Sequence, residues 1–244
     1  RAPAVIRALS LLAGLVAVAL AIGLGSLAIA DGIRDRGRND VLSVTGSAKR
    51  RIVSDYVVWT VSVTSERNSP QAASRQLAAW TDRVTAFVRD GGARDDELSV
   101  NPITTETVNE DEELDSGPVV GYRLSRSIQV RSARVDAITD LIERSSALFA
   151  EGIPIQAEQP QYIYTRLPSL RPRLLADATR DALRRAEVLV ESTGADLGNL
   201  RSVDVGVFQV TAPNSTEVED YGVYDTTTRA KDVTAVVNVS FAIE

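Results

Sequence analysis

Asp55-Tyr56-Val57-Val58-Trp59-Thr60-Val61-Ser62-Val63-Thr64-Ser65 alternates with the period of a β-strand. Val57, Trp59, Val61 and Val63 fall on one face, and polar residues occupy much of the other, as in a strand with one buried side. The period then changes. Asn68-Ser69-Pro70 reads as a helix entry. Ala73, Leu77, Trp80, Val84, Phe87 and Val88 recur at steps of three and four, which predicts an amphipathic helix over 70–90. Gly91-Gly92 ends it.

The pattern repeats downstream. Glu97 to Val108 reads as extended, an acidic patch and Gly117-Pro118 make a turn, and Val119 to Arg131 returns as a strand. A second helix is expected over 134–150, with Val135, Ile138, Leu141, Ile142, Leu148 and Phe149 on one side. Gly152 ends it, and Ile153 to Arg166 is extended. The order β-α-β-β-α-β is that of a split-βαβ unit, an antiparallel sheet with two helices on one face.

Outside this unit, Val41 to Gly46 reads as a strand broken at Gly46, with Lys49-Arg50-Arg51 as a solvated basic turn. Pro168 and Pro172 sit at the entry of a third helix over 173–193, carrying Leu175, Ala178, Ala182, Ala186, Leu189 and Val190. Leu200 to Thr211 reads as a strand, 212–230 as a loop. Val233, Ala235, Val237, Val239 and Phe241 share one face of a last strand. The fold class is α+β with three helices.

The N-terminal part differs in kind. After a flank at 1–7, Ala8 to Ala30 runs 23 residues without a charge, and about 20 apolar residues cross a bilayer as a helix. Ala28-Ile29-Ala30 before Asp31 looks like a signal cleavage site. The run, however, is about twice the usual 7–15-residue signal core, which favours an uncleaved transmembrane helix at 8–30. Ala13, Ala17, Ala21 and Gly25 are spaced for close helix packing in lipid, although ordinary alanine abundance explains them equally well. Residues 31–40 read as a juxtamembrane linker and 41–244 as the folded domain. Arginines flank the run on both sides, so charge does not orient it.

Composition narrows the chemistry. There is no Cys, His or Met, which removes thiol nucleophiles, disulfides, Cys/His zinc sites and His-based triads. The net charge is −6. Residues 1–40 hold five arginines against three aspartates, so the remainder carries 22 positive and 30 negative side chains, net −8. That balance disfavours nucleic acid as a partner.

Four stretches, taken together and in order, resemble the SIMPL-domain family over nearly all of 41–244. They are Val44-Thr45-Gly46-Ser47-Ala48 ahead of Asp55, Gly121-Tyr122 with its strand to Val130, the alanine-spaced helix from Ala176 through Ala182 and Ala186, and Gly194-Ala195-Asp196-Leu197-Gly198. Ser54 stands where the family often has Pro. The resemblance implies a bacterial envelope protein of α+β fold that forms ring-like or channel-like homo-oligomers, some members being linked to stress tolerance. It supplies no catalytic residue.

The candidate sites are few. Glu106, Glu110, Asp111, Glu112, Glu113 and Asp115 lack the spacing of a calcium loop and read as a solvated hairpin tip. A Ser-Lys mechanism would need Lys49, near Ser47, or Lys231, the only two lysines. No glycine-rich phosphate loop exists, since Gly23-Leu24-Gly25 lies in the apolar run. Arg126 is in phase with Tyr122, Leu124, Ile128 and Val130. It reads as a satisfied arginine at the sheet margin or, more sharply, as half of an intersubunit ion pair. Tyr162, Tyr164, Tyr221 and Tyr224 form two aromatic pairs near strand or loop ends.

No catalytic, cofactor-binding or metal residues are expected. The leading expectation is a single-pass protein of the bacterial inner membrane, its domain on the extracytoplasmic side, that self-associates without being an enzyme. Its partners are the lipid bilayer and its own copies, with any client unidentified. A periplasmic ligand-binding or chaperone-like module, acting as monomer or dimer, is the second reading, and a carboxylate-dependent hydrolase the third.

Overall fold

The computed structural model describes residues 41–111, 113–114, 116–216 and 220–243. The expected transmembrane helix with Ala13, Ala17, Ala21 and Gly25, and the linker at 31–40, lie outside these residues. No helix among the described residues is long and apolar enough to cross a membrane. The described chain falls into two compact units. The larger is built from 47–178 and 206–236, the smaller from 41–46, 179–205 and 237–243. Strand β1 (Val41–Val53), helix α4 (Leu167–Thr193) and strand β10 (Ala230–Ile243) contribute a part to each.

The larger unit contains the split-βαβ arrangement. Strand β2 (Tyr56–Arg67) leads into α1 (Pro70–Asp90), then β3 (Leu98–Val100), β4 (Thr104–Asp111) and β5 (Ser116–Ser132). Helices α2 (Val135–Arg144) and α3 (Ala147–Ala150) precede two short strands, β6 (Ile155–Ala157) and β7 (Gln161–Ile163). The sheet order is β3-β5-β2-β6, with β4 also on β5 and β7 also on β2, and every pairing is antiparallel.

Alternation puts Val57, Trp59, Val61 and Val63 on the helix side. There they join Leu124, Ile128 and Val130 of β5 with Ala73, Leu77, Val84 and Val88 of α1 and Val135, Ile138 and Leu141 of α2 in one core. The helix start at Pro70 follows from its cap, because the Ser69 side chain accepts the Ala72 N–H and proline costs no hydrogen bond at a helix's first position.

Several boundaries differ from the expectation for local reasons. The helix expected over 134–150 breaks after Arg144, where Ser145 Oγ donates to the Ile142 carbonyl at 2.6 Å and competes with the helical ladder. The strand expected over 153–166 is interrupted at 158–160, where Pro160 has no N–H to give a ladder. Likewise the run from Glu97 divides at 101–103 around Pro102. Helix α4 begins six residues earlier than expected, with Pro172 inside it. Its buried stripe passes through Leu174 rather than Leu175, and Leu189 is exposed.

β1 does not break at Gly46 but continues to Val53. Lys49 and Arg51 therefore lie on a strand, not a solvated turn. Both reach Asp232 of β10, at 3.0 and 2.9 Å.

In the smaller unit β8 (Leu197–Val205) pairs with β10, and α4 buries Ala182, Ala186 and Val190 at four-residue steps. Strand β9 (Gln209–Thr211) pairs with β10 in the larger unit.

Candidate functional site

The smaller unit exposes a continuous apolar strip. In an antiparallel pair, residues opposite one another share a face of the sheet. Val205 lies opposite Val237, Val203 opposite Val239 and Leu200 opposite Phe241. Val237, Val239 and Phe241 are buried, whereas Val203, Val205 and Leu200 are 41%, 56% and 57% exposed. The apolar face is thus covered over β10 and bare over β8. Beyond β8 no further strand pairs among the described residues. Val188 and Leu189 of α4 are exposed as well, and with Asp181, Arg184 and Arg185 of the same helix and 43–45 of β1 they line a groove of about 730 Å³ that is part apolar and part charged. An exposed strand edge beside bare apolar side chains is a template for another chain.

A second concavity, of about 460 Å³, lies on the polar face of the larger unit's sheet. β2 contributes Tyr56, Val58 and Thr60, and β5 contributes Gln129 and Arg131. The far wall is Gln161 and Ile163 of β7 with Glu158 and Gln159 of the interrupting segment. The register fixes their neighbours: Val58 lies between Arg131 and Gln161, and Thr60 lies opposite Gln129. Gln129 Nε2 donates to Thr60 Oγ1 at 3.4 Å, and the Glu158 N–H donates to the Thr60 carbonyl at 2.9 Å.

The buried charges are paired. Lys231 is fully buried on β10, and its Nζ donates to Asp225 Oδ2 at 3.3 Å and to the Thr228 carbonyl. Burial pushes this ammonium below its usual range, with Asp225 opposing. Asp225 also accepts from Thr227 and Thr228, and these donors outweigh burial to hold its carboxyl low. Asp232 is held low chiefly by Arg51, against burial, with help from the Asn214 N–H and Lys49. Lys49, the lysine near Ser47, is half-exposed in its ion pair with Asp232.

Arg126 lies opposite Val63 on the helix side of β5, half-buried. Its Nε donates to the Asn101 carbonyl at 2.7 Å, at the margin where β3 ends. Of the acidic stretch, Glu110, Asp111 and Glu113 are exposed at the end of the β4–β5 hairpin, Glu106 lies within β4 opposite Arg123, and Glu112 and Asp115 lie outside the described residues. Tyr162 OH shares a hydrogen bond with Thr139, and Tyr224 OH lies within reach of both backbone groups of Tyr164.

Asp55, at the head of β2, accepts from the Thr165 N–H at 2.7 Å, Thr165 Oγ1 at 3.1 Å and Arg166 Nε at 2.8 Å. It thereby ties the entry of α4 to the sheet. Ser54 spends its own N–H on the Arg229 carbonyl at 2.9 Å, a bond that proline could not make.

A family model described as SIMPL, protein of unknown function (DUF541), matches residues 42–241. The chain belongs to the SIMPL family. No curated protein matches it. Among solved structures, a de novo designed protein, Foldit4, is 12% identical with a TM-score of 0.25, over 42% of this chain and 93% of that one. A putative amidohydrolase/peptidase from Burkholderia cenocepacia is 16% identical with a TM-score of 0.24, over 50% of this chain and 31% of that one. The regulatory subunit of aspartate kinase from Thermus thermophilus, ligand-free, is 14% identical with a TM-score of 0.20, over 82% and 88%. At such scores these structures carry no argument about this SIMPL protein.

Proposed function

We propose that this SIMPL protein is a membrane-anchored, non-enzymatic envelope protein of the bacterial inner membrane that self-assembles into a ring- or channel-like homo-oligomer. One observation carries the reading: the apolar face of the smaller unit runs uncovered across β8, through Leu200, Val203 and Val205. A second copy is the occupant this surface fits, because a free strand edge offers main-chain pairing and the bare valines offer apolar area. The 23-residue apolar run supplies the anchor. Its stripe of Ala13, Ala17, Ala21 and Gly25 supports lateral packing in the bilayer. Arg126 is the candidate for an intersubunit ion pair, and the domain stands on the extracytoplasmic side.

Light scattering on the full chain in detergent tests this. The expected result is one large, discrete species. Val203→Lys combined with Val205→Glu should reduce it to a smaller species while the circular dichroism spectrum stays unchanged, since exposed substitutions usually alter stability by less than about 0.5 kcal/mol. A monomer in the unaltered chain defeats the proposal. If Arg126→Ala leaves the mass unchanged, Arg126 has no part in the contact.

A further inference from the structure

We propose that the concavity on the polar face of the larger unit's sheet binds an extended, neutral, β-1,4-linked oligosaccharide. The inference rests on this pocket alone and does not depend on the assembly reading.

The lining chooses the chemistry. Its ionisable side chains at neutral pH are Arg131 and Glu158, one of each sign, so it offers no net charge to a phosphate or a polyanion. Three amides converge there: Gln129, Gln159 and Gln161. A carboxamide presents an acceptor and two donors side by side, which suits the vicinal hydroxyls of a sugar, each both donor and acceptor. Gln129 is oriented by its bond to Thr60, which leaves its carbonyl oxygen and second N–H for a ligand. Tyr56, Val58 and Ile163 add an apolar floor for the C–H face of a pyranose ring. The volume of about 460 Å³ is within the ordinary range of ligand pockets, about 300–1,000 Å³.

Two further observations set the shape of the ligand. β2 is an interior strand, with β5 on one side and β6 and β7 on the other. At the pocket its main chain is paired on both sides, at Tyr56–Val58 and Val61–Val63, so recognition there falls to side chains rather than to strand addition, the usual mode for an extended peptide. The same face then continues past the pocket through Ser62, Thr64, Ser125, Ser127 and Gln156, hydroxyls and an amide without a charge. Such a strip accommodates several sugar units in line. A β-1,4-linked chain is a straight ribbon that lies along a sheet, whereas an α-1,4-linked chain coils away from it. Solvated strands also carry Thr and Ser. The difference here is a walled concavity, made where the segment 158–160, held to β2 by the Glu158 N–H, interrupts the edge between β6 and β7.

The test is calorimetric titration of the full chain, held in a zwitterionic detergent without a sugar headgroup. The titrants are cellohexaose, chitohexaose, maltohexaose and a neutral Gly-Ser hexapeptide. At least one β-1,4 hexaose should bind with a dissociation constant of about 1 mM or tighter. Gln129→Ala and Gln161→Ala should each weaken it about tenfold, as expected when one partner of a directed hydrogen bond is removed. Gln161 is exposed, so its replacement keeps the fold even if Gln129→Ala does not. Val203→Lys combined with Val205→Glu should leave sugar binding unchanged, which separates this proposal from the assembly. No heat from either β-1,4 hexaose at about 10 mM would overturn the proposal. So would binding of maltohexaose or the peptide alone, or affinity unchanged in both glutamine variants.

Discussion

Glu97 closes the 3-10 turn at Asp95–Glu97 and gathers three donors: the Ser132 hydroxyl at 2.7 Å, the Arg94 N–H at 2.9 Å and the Arg134 guanidinium. Burial pushes its carboxyl up, but these donors together hold it at about 2, against an ordinary 4.5. A carboxylate whose folded value is depressed contributes stability that is complete above its unfolded value. That contribution is lost as pH falls through the folded value. The window therefore runs from about pH 4.5 down to about pH 2. Glu97→Gln should lower the melting midpoint near neutral pH. The gap between variant and parent should close as thermal melts are repeated toward about pH 2. A gap that stays constant across that range would mean that shape, not charge, is what Glu97 supplies. Lys231 and Asp232, adjacent on β10, show how little of this is local. One finds its partner six residues back, the other finds Arg51 across 181 residues.

Helix α1 ends on two glycines with different duties. Gly91 has an ordinary φ of −73°, yet a Cβ there would stand 2.2 Å from Leu141 Cδ1 of α2. Gly92 has open space around it but a φ of +102°. Gly91→Ala forces the core to shift and should cost about 1–3 kcal/mol in urea melts, with the loss relieved in part by Leu141→Val. Gly92→Ala meets only backbone strain, of about 1–2 kcal/mol, and Leu141→Val should do nothing for it. The pair was legible in the sequence as a helix stop, but the two reasons were not. The same division holds across the fold. Strand alternation in β2 and β10 and the helical period of α1 are local patterns, and they placed the sheet and its helices. What local pattern did not reveal depends on partners remote in sequence. β1 continues past Gly46 beside β10, where Lys49 and Arg51 reach Asp232. The polar pocket exists only because the register brings Gln129 and Arg131 beside β2, with Gln161 on its other side. Arg126 was legible as an inward-phased arginine; its partner, a backbone carbonyl at Asn101, was not.

Backbone hydrogen bonding differs sharply between elements of the molecule, and amide exchange reads that difference directly. β2 pairs along its length with β5 and also with β6 and β7, and its inward side chains are fully buried. Its amides should open only on global unfolding and set the slowest exchange in the chain. Among the described residues β8 pairs with β10 alone, and nearly every one of its residues is exposed. The β8 amides that do not face β10 should exchange within the fastest class when the protein is dilute. If the β8 edge is where copies meet, those same amides must slow as concentration rises, while β2 stays constant because its exchange is governed by unfolding of the unit. Val203→Lys combined with Val205→Glu should abolish the concentration dependence and leave β2 untouched. Protection of β8 that is already complete at the lowest concentration, in a chain that scatters as a monomer, would place a segment of the same chain on that edge and remove the second copy from the argument.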